Sequence, residues 1–550
     1  MALITFWRAT LASAIEILLA KRLGYLTTLP VPLPLAAAAV LVFCANYAAW
    51  LLWITLIVPF CLDPLRKFPA PRVVTLSRLL TRLRNSDTYP PGQFLLEVAE
   101  RTPNEGIVVL QGQATSLLLT KPGPLADVLV HHPYDFAKFE YVRDFLRPVL
   151  GDGLVVVEGE RHKFLRRNAQ GAFKFGVVRE LYGMMWEKAV AFSEVLQRRV
   201  VQEEAEEEEA GTRVEMNGWA SKVTLDIIGI AAFGRDFQVL THHDDPLIRN
   251  YDELMRPGRA KFFYFIVSAM MPRWVVRWMP WRVARMFEQT TASIKAICGD
   301  MVRDKAEAIA RAKDDGEHLD ILSMLIKTSN FSSSELVDQL LTFLAAGHET
   351  TSSVFTWATY LLSTRPVLQQ ALRSEILTAF PSFPDVPQDV EIASVLEHLP
   401  YLNGILSETL RLFPTVPVTV RVAVRDTTLS GYPINKGTEI VLSPWQVNRY
   451  TEIWGPDATK FRPERWIVDG KFDPTGGVAS NYAHMTFLHG PRACIGQGFA
   501  RAELRCLLAA FAGRMRWELD MAEGTVVPGG VITIRPVNGL YLRLFDGQKS

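Results

Sequence analysis

Phe487, Gly490, Arg492, Cys494 and Gly496 stand within ten residues of one another, and Cys494 is the reactive side chain among them. Glycines at 490 and 496 permit a tight loop, and a helix-favouring run from Gln497 to Leu504 follows at once. A helix starting there directs backbone N–H dipoles at the sulfur and favours thiolate over thiol. Taken alone, the loop also suits an ordinary core cysteine, since free cysteine is among the most buried residue types.

Two other groupings carry chemistry. Glu408 and Arg411 stand at i, i+3 in an apolar helical segment, which places carboxylate and guanidinium on one face. Ala346-Gly347-His348-Glu349-Thr350-Thr351 lies within a long helix that should open at Ser332 or Ser333, where serine can cap. Thr350 is able to bond back to the carbonyl four residues earlier and loosen the helix locally. A zinc site on His348-Glu349 is excluded, because H-E-x-x-H requires histidine where Ser352 stands.

The five fixed positions around Cys494 match F-x-x-G-x-R-x-C-x-G, and with Glu408-x-x-Arg411, Phe461-Arg-Pro-Glu-Arg465-Trp466 and the Glu349-Thr350 helix, in that family's order, they resemble the cytochrome P450 family. The resemblance covers roughly residues 68 to 545 and is nearest in texture to fungal microsomal members. It implies a mainly α fold with small β-sheets (α+β), haem b bound with Cys494 as the axial iron ligand, and hydroxylation with dioxygen and NADPH-derived electrons. Glu349 and Thr350 would then be the acid and alcohol that deliver protons. Arg465 would join Glu408 and Arg411 in a buried network bracing the cysteine loop. Arg166 and His162, at the family's W-x-x-x-R positions with histidine for tryptophan, and Arg492 would contact the haem propionates; Phe487 belongs to the same cofactor-binding set. The resemblance further places substrate against the loop from Phe136 to Leu150, Phe343 to Ala346, Thr415 to Thr419 and the turn at Gly530 to Ile532. These positions are mostly apolar, which suits a lipophilic small molecule of terpenoid or polyketide type. With no G-x-G-x-x-G unit in a strand-to-helix context and no flavin module, a separate NADPH-cytochrome P450 reductase is expected, docking near Cys494. A haem-thiolate isomerase or dehydratase, or a non-catalytic haem-binding protein, would have no use for Glu349 and Thr350.

The elements that must position these residues are legible at lower detail. Leu181 to Val200 and Phe331 to Ser363 show helical spacing, Gly106 to Leu119 alternates in a β-like way, and Gly431 to Gly437 reads as a sheet turn. Leu35 to Leu62 contains no charged residue and is expected to be a transmembrane helix. Residues 1–34 form an apolar, interfacial lead, 63–71 a proline-rich hinge and 72–550 the haem-thiolate domain. More basic residues follow the span than precede it, which orients the domain to the cytosol and fits the endoplasmic reticulum membrane. The acidic run Glu203 to Glu209 is read as a solvated loop or helix end.

With 59 basic and 58 acidic residues the net charge is +1, so nothing draws the chain to nucleic acid. Five cysteines without a C-x-x-C pair encode neither a disulfide framework nor a zinc ribbon.

Overall fold

The computed structural model describes residues 35–53, 64–71, 90–110, 115–204, 211–241, 245–255, 282–311, 320–386, 390–530 and 532–547, with positions 13–16, 18, 19, 22 and 264. Its longer helices, in chain order, are α1 Leu35–Leu52, α2 Glu140–Leu150, α3 Gly159–Ala169, α4 Tyr182–Glu204, α5 Met216–Ile228 and α6 Arg282–Arg311. They are followed by α7 Ser333–Ser363, α8 Pro366–Ala379, α9 Pro400–Leu412 and α10 Gln497–Arg514.

Local chemistry explains the boundaries of the helices nearest the cysteine. Ser332 caps α7: its hydroxyl accepts the Glu335 N–H at 3.3 Å, and the Glu335 carboxylate accepts the Ser332 N–H at 2.7 Å. Pro366 then ends the run and opens α8 at a first-turn position where its missing N–H costs nothing. α9 also opens on proline, and its free amides at Tyr401 and Leu402 are taken by the Glu375 carboxylate of α8 at 2.8 and 2.9 Å. Helices α4, α5, α7, α9 and α10 share one large apolar core, with Phe192, Phe355 and Phe511 fully buried at its centre.

The principal sheet has five strands: β1 Ile107–Leu110, β2 Ser116–Leu119, β3 Phe136–Lys138, β5 Thr419–Ala423 and β8 Glu439–Leu442, in the order β1-β2-β8-β5-β3. Only the β2–β8 pairing is parallel, with Leu118 opposite Val441. Between β5 and β8 a hairpin, β6 Thr427–Leu429 and β7 Tyr432–Ile434, turns at Ser430-Gly431. A second sheet joins β4 Thr212–Glu215 to β9 Met515–Leu519 and the C-terminal strand β12 Tyr541–Asp546, and a short pair, β10 Pro528–Gly529 with β11 Arg535–Pro536, precedes that strand. The fold is thus helical with small sheets, as the motifs imply.

Three expectations are altered. The apolar segment read as running to Leu62 is helical over Leu35–Leu52, residues 54–63 lie outside the described residues, and among the described residues no helix is long and apolar enough to cross a membrane. The Asn46 amide of α1 reaches back to Ser13 at 3.1 Å and Glu16 at 2.6 Å, in the apolar lead. The proline-rich segment is docked on the principal sheet: Phe68 is buried against Tyr432 at a ring separation of 4.9 Å, and the Pro69 carbonyl accepts the Val109 N–H at 2.8 Å. The stretch from Phe136 to Leu150 is strand β3 followed by helix α2, where a loop was expected, Pro148 being tolerated in the last turn. Of the acidic run, Glu203 and Glu204 close α4, and residues 205–210 lie outside the described residues.

Candidate active site

The loop before α10 is tied at several points. The Cys494 N–H donates to the Phe487 carbonyl at 2.8 Å, and the Arg166 guanidinium of α3 donates to the Ala493 carbonyl at 2.6 Å. Gly490 has φ +74°, and a Cβ there would meet the Leu129 carbonyl oxygen at 2.0 Å, so only glycine fits. The Phe487 ring receives the Arg501 guanidinium at 5.4 Å. The Cys494 side chain is exposed at the surface of the loop, with the rest of the chain packed densely around it. Desolvation raises the thiol pKa; the Gly496 N–H and the Arg166 charge pull the other way without reversing it. The loop therefore favours thiolate less than its glycines and helix suggest, and a bound cation would have to supply the rest of the drive to deprotonate.

Behind the loop lies a buried ion network. Arg411 grips Glu408 with two hydrogen bonds, at 2.8 and 2.7 Å, and both side chains are fully buried. The same carboxylate accepts Arg465 at 3.0 Å, the Trp466 indole N–H at 2.9 Å and the Arg462 N–H at 3.0 Å. Burial would raise the Glu408 pKa, but these donors outweigh it and hold the carboxyl below its usual range. Asn448, which the motifs did not single out, connects this network to the loop. Its amide donates to the Arg411 carbonyl at 3.0 Å and to Thr486 at 2.9 Å, while its oxygen accepts the Met485 N–H at 2.8 Å.

Helix α7 supplies the second wall. The Thr350 hydroxyl donates to the Ala346 carbonyl at 2.6 Å, and the Thr351 hydroxyl to Gly347 at 3.0 Å, so two successive residues draw on the helix's own carbonyls. Burial raises the Glu349 pKa, only partly offset by Arg535 and the Thr533 hydroxyl. Gly347 serves packing: a Cβ there would approach Ile228 Cδ1 of α5 to 2.7 Å. Ala346 alone is the small residue left open. His348 is buried and neutral, its ring meeting Tyr251 edge-on at 5.1 Å and its Nδ1 lying 2.9 Å from the Leu344 carbonyl.

Basic residues gather beside the loop. His162 is 3% exposed, and its Nδ1 lies 3.4 Å from the Tyr134 hydroxyl. Desolvation and the neighbouring Lys138 and Arg492 charges lower its pKa to about 4. Arg492 donates to the Phe136 carbonyl at 2.8 Å and to Pro133, and pairs with Glu158. Lys138 and Arg421, which sequence reasoning missed, complete the group; burial lowers Lys138 to about 7 and Arg421 to about 10. An alternating Thr-Val-Arg-Val-Ala strand with arginine on its buried face was the available signal for Arg421.

The donor set fits haem. Among the described residues Lys138, Arg421 and Arg492 face one carboxylate, Glu158, with Arg166 close by against His162, and uncompensated buried cations cost several kcal/mol each, so this corner suits a dianion such as a pair of propionates. Among the described residues no three His, Cys, Asp or Glu side chains are grouped to hold a metal ion. An iron at Cys494 would therefore take its other ligands from a macrocycle.

Comparison with known proteins agrees. A family model described as Cytochrome P450 matches residues 90–537. Cytochrome P450 monooxygenase sphH of Aspergillus fumigatus is 38% identical over 501 residues, covering 90% of each chain. Cytochrome P450 monooxygenase ptmK of Penicillium ochrochloron is 37% identical over 501 residues, covering 90% of this chain and 96% of the relative. Cytochrome P450 monooxygenase FUM15 of Gibberella moniliformis is 32% identical over 536 residues, covering 90% of each. With the cysteine loop, the Glu408 network and the α7 threonine pair all in one fold, this chain belongs to the cytochrome P450 family of monooxygenases.

Proposed function

We propose that the enzyme binds haem b with Cys494 as the axial thiolate and oxidises a lipophilic small molecule, of terpenoid or polyketide type, in secondary metabolism. The observation that carries this reading is the accessible Cys494 side chain on a loop braced by Arg166 and, through Asn448, by the Glu408 network. Arg166, Arg421, Arg492, Lys138 and His162 would hold the haem carboxylates. When bound, haem supplies the oxidant made from dioxygen and two electrons.

The chain's own residues manage protons and substrate. Burial disfavours the Glu349 anion and raises its pKa, which suits this carboxyl to pass a proton by way of the neighbouring Thr350 hydroxyl. Thr350 donates its own hydrogen to Ala346, which turns the oxygen lone pairs outward as acceptors. Val142 and Phe145 of α2, Val416 and Ile532 are exposed apolar side chains in the segments that the family resemblance assigns to substrate, which supports a lipophilic ligand.

Electrons would come from NADPH through a separate reductase. Val40, Leu41 and Leu52 expose apolar side chains along α1, which supports attachment to a membrane, that of the endoplasmic reticulum with the domain in the cytosol. The test is the reduced carbon monoxide complex: the wild type is expected to show the red-shifted Soret band of thiolate ligation and Cys494→His to lose it. An unchanged band in the variant would place the ligand elsewhere. Product formation in membranes with a reductase should require both NADPH and dioxygen.

A further inference from the structure

Among the described residues Glu158 is the one acid amid the basic cluster, and its position in the fold does not account for it. It immediately precedes α3, where an acidic side chain would ordinarily accept the first amides of the helix, yet it makes no capping bond. Its carboxylate turns instead to β3 and to the cysteine loop. It accepts the Lys138 N–H at 2.9 Å, lies 3.8 Å from the Lys138 ammonium and pairs with the Arg492 guanidinium. Its side chain is 9% exposed, so the charge is barely screened.

Lys138 is held in turn by the Val155 carbonyl at 2.6 Å, and Arg492 by the carbonyls of Pro133 and of Phe136, the first residue of β3. The charge of Glu158 is therefore fixed in place by partners that cannot follow it outward. Haem carboxylates entering this cluster would share their cations with a third, permanent anion. A fixed negative charge beside the cofactor makes an added electron less welcome at the iron, and charge near a cofactor is one of the means by which a protein sets its potential.

We propose that Glu158 is a positioning and tuning residue, which holds Arg492 and Lys138 for the haem carboxylates while lowering the reduction potential of the iron. Lys138 is its electrostatic counterweight. The inference rests on the haem-thiolate reading above.

The test uses the full chain loaded with haem and measures the midpoint potential by spectroscopic redox titration, with haem transfer to an apo-acceptor as a second readout. Glu158→Gln should move the potential upward and speed haem transfer several-fold. Lys138→Met should move the potential downward, and the double variant should return it close to wild type. A merely structural ion pair would move both single variants in the same direction, and that result, or an unchanged potential in Glu158→Gln, overturns the proposal. Should Glu158→Gln fail to load haem, Glu158→Asp, which keeps the charge, should load it with the wild-type potential; loss of haem in both overturns the proposal as well. A wild-type protein without the thiolate Soret band would instead overturn the haem-thiolate reading, so the two failures are distinguishable.

Discussion

Arg166 of α3 donates to the carbonyl of Ala493 at 2.6 Å, which ties a helix 327 residues away in sequence to the residue immediately before Cys494. A hydrogen bond from a charged donor contributes about 1.5–3 kcal/mol. Arg166→Met is therefore expected to leave the fold intact but loosen the loop. A larger share of the reduced carbon monoxide complex should lack the red-shifted Soret band, and haem should leave at least tenfold faster. Retention equal to wild type would show that the bond does not brace the loop.

Thr350 and Glu349 separate oxygen consumption from product formation. Thr350→Val removes the hydroxyl bonded to Ala346 while keeping the side-chain shape. Proton transfer by a positioned group is worth roughly 10²–10⁴-fold. Thr350→Val and Glu349→Gln should each lower product formed per NADPH consumed by tenfold or more, with hydrogen peroxide making up the difference. Substrate binding should change little.

Gly347 and Ile228 form a packing pair between α7 and α5 that a methyl group would disturb, since the added Cβ would lie 2.7 Å from Ile228 Cδ1. Overpacking of this kind costs about 1–3 kcal/mol. Gly347→Ala should lower the thermal midpoint, and adding Ile228→Val should recover part of the loss. Additive losses in the double variant would locate the effect elsewhere.

Glu503 of α10 is fully buried, and burial raises its pKa well above the ordinary value, an effect the nearby Thr351 hydroxyl offsets only in part. The sign of its linkage follows. The folded state holds the proton to higher pH than the unfolded chain, which releases it near pH ~4.3, so stability falls as pH rises beyond that point. Glu503→Leu should therefore raise the thermal midpoint at pH 8 more than at pH 5. An equal change at both pH values would mean that the carboxyl is ionised in the fold.

The motifs revealed the chemistry better than its supports. Cys494, Glu408, Arg411 and Arg465 were legible because each belongs to a short pattern whose spacing survives in one dimension. Asn448 was not, since nothing local marks an asparagine whose oxygen and amide serve Met485, Thr486 and the Arg411 carbonyl. Lys138, Glu158 and Arg421 assemble from β3, the entry to α3 and β5, and their meaning lies only in a shared charge imbalance. Gly347 is hard to read for a related reason. A glycine in a helix states that something approaches closely, and only tertiary packing tells that the neighbour is Ile228.

Phe68, seated on Tyr432, fixes more than a contact. Eleven peptide steps separate Trp53, past the end of α1, from Pro64, and a fully extended chain of that length reaches at most roughly 40 Å. Whatever surface receives the apolar helix, the β6–β7 hairpin must stay within the length of that leash. The docking thus restricts the headings the whole catalytic body can take toward its support, and a fluorophore on the hairpin would read out that range directly.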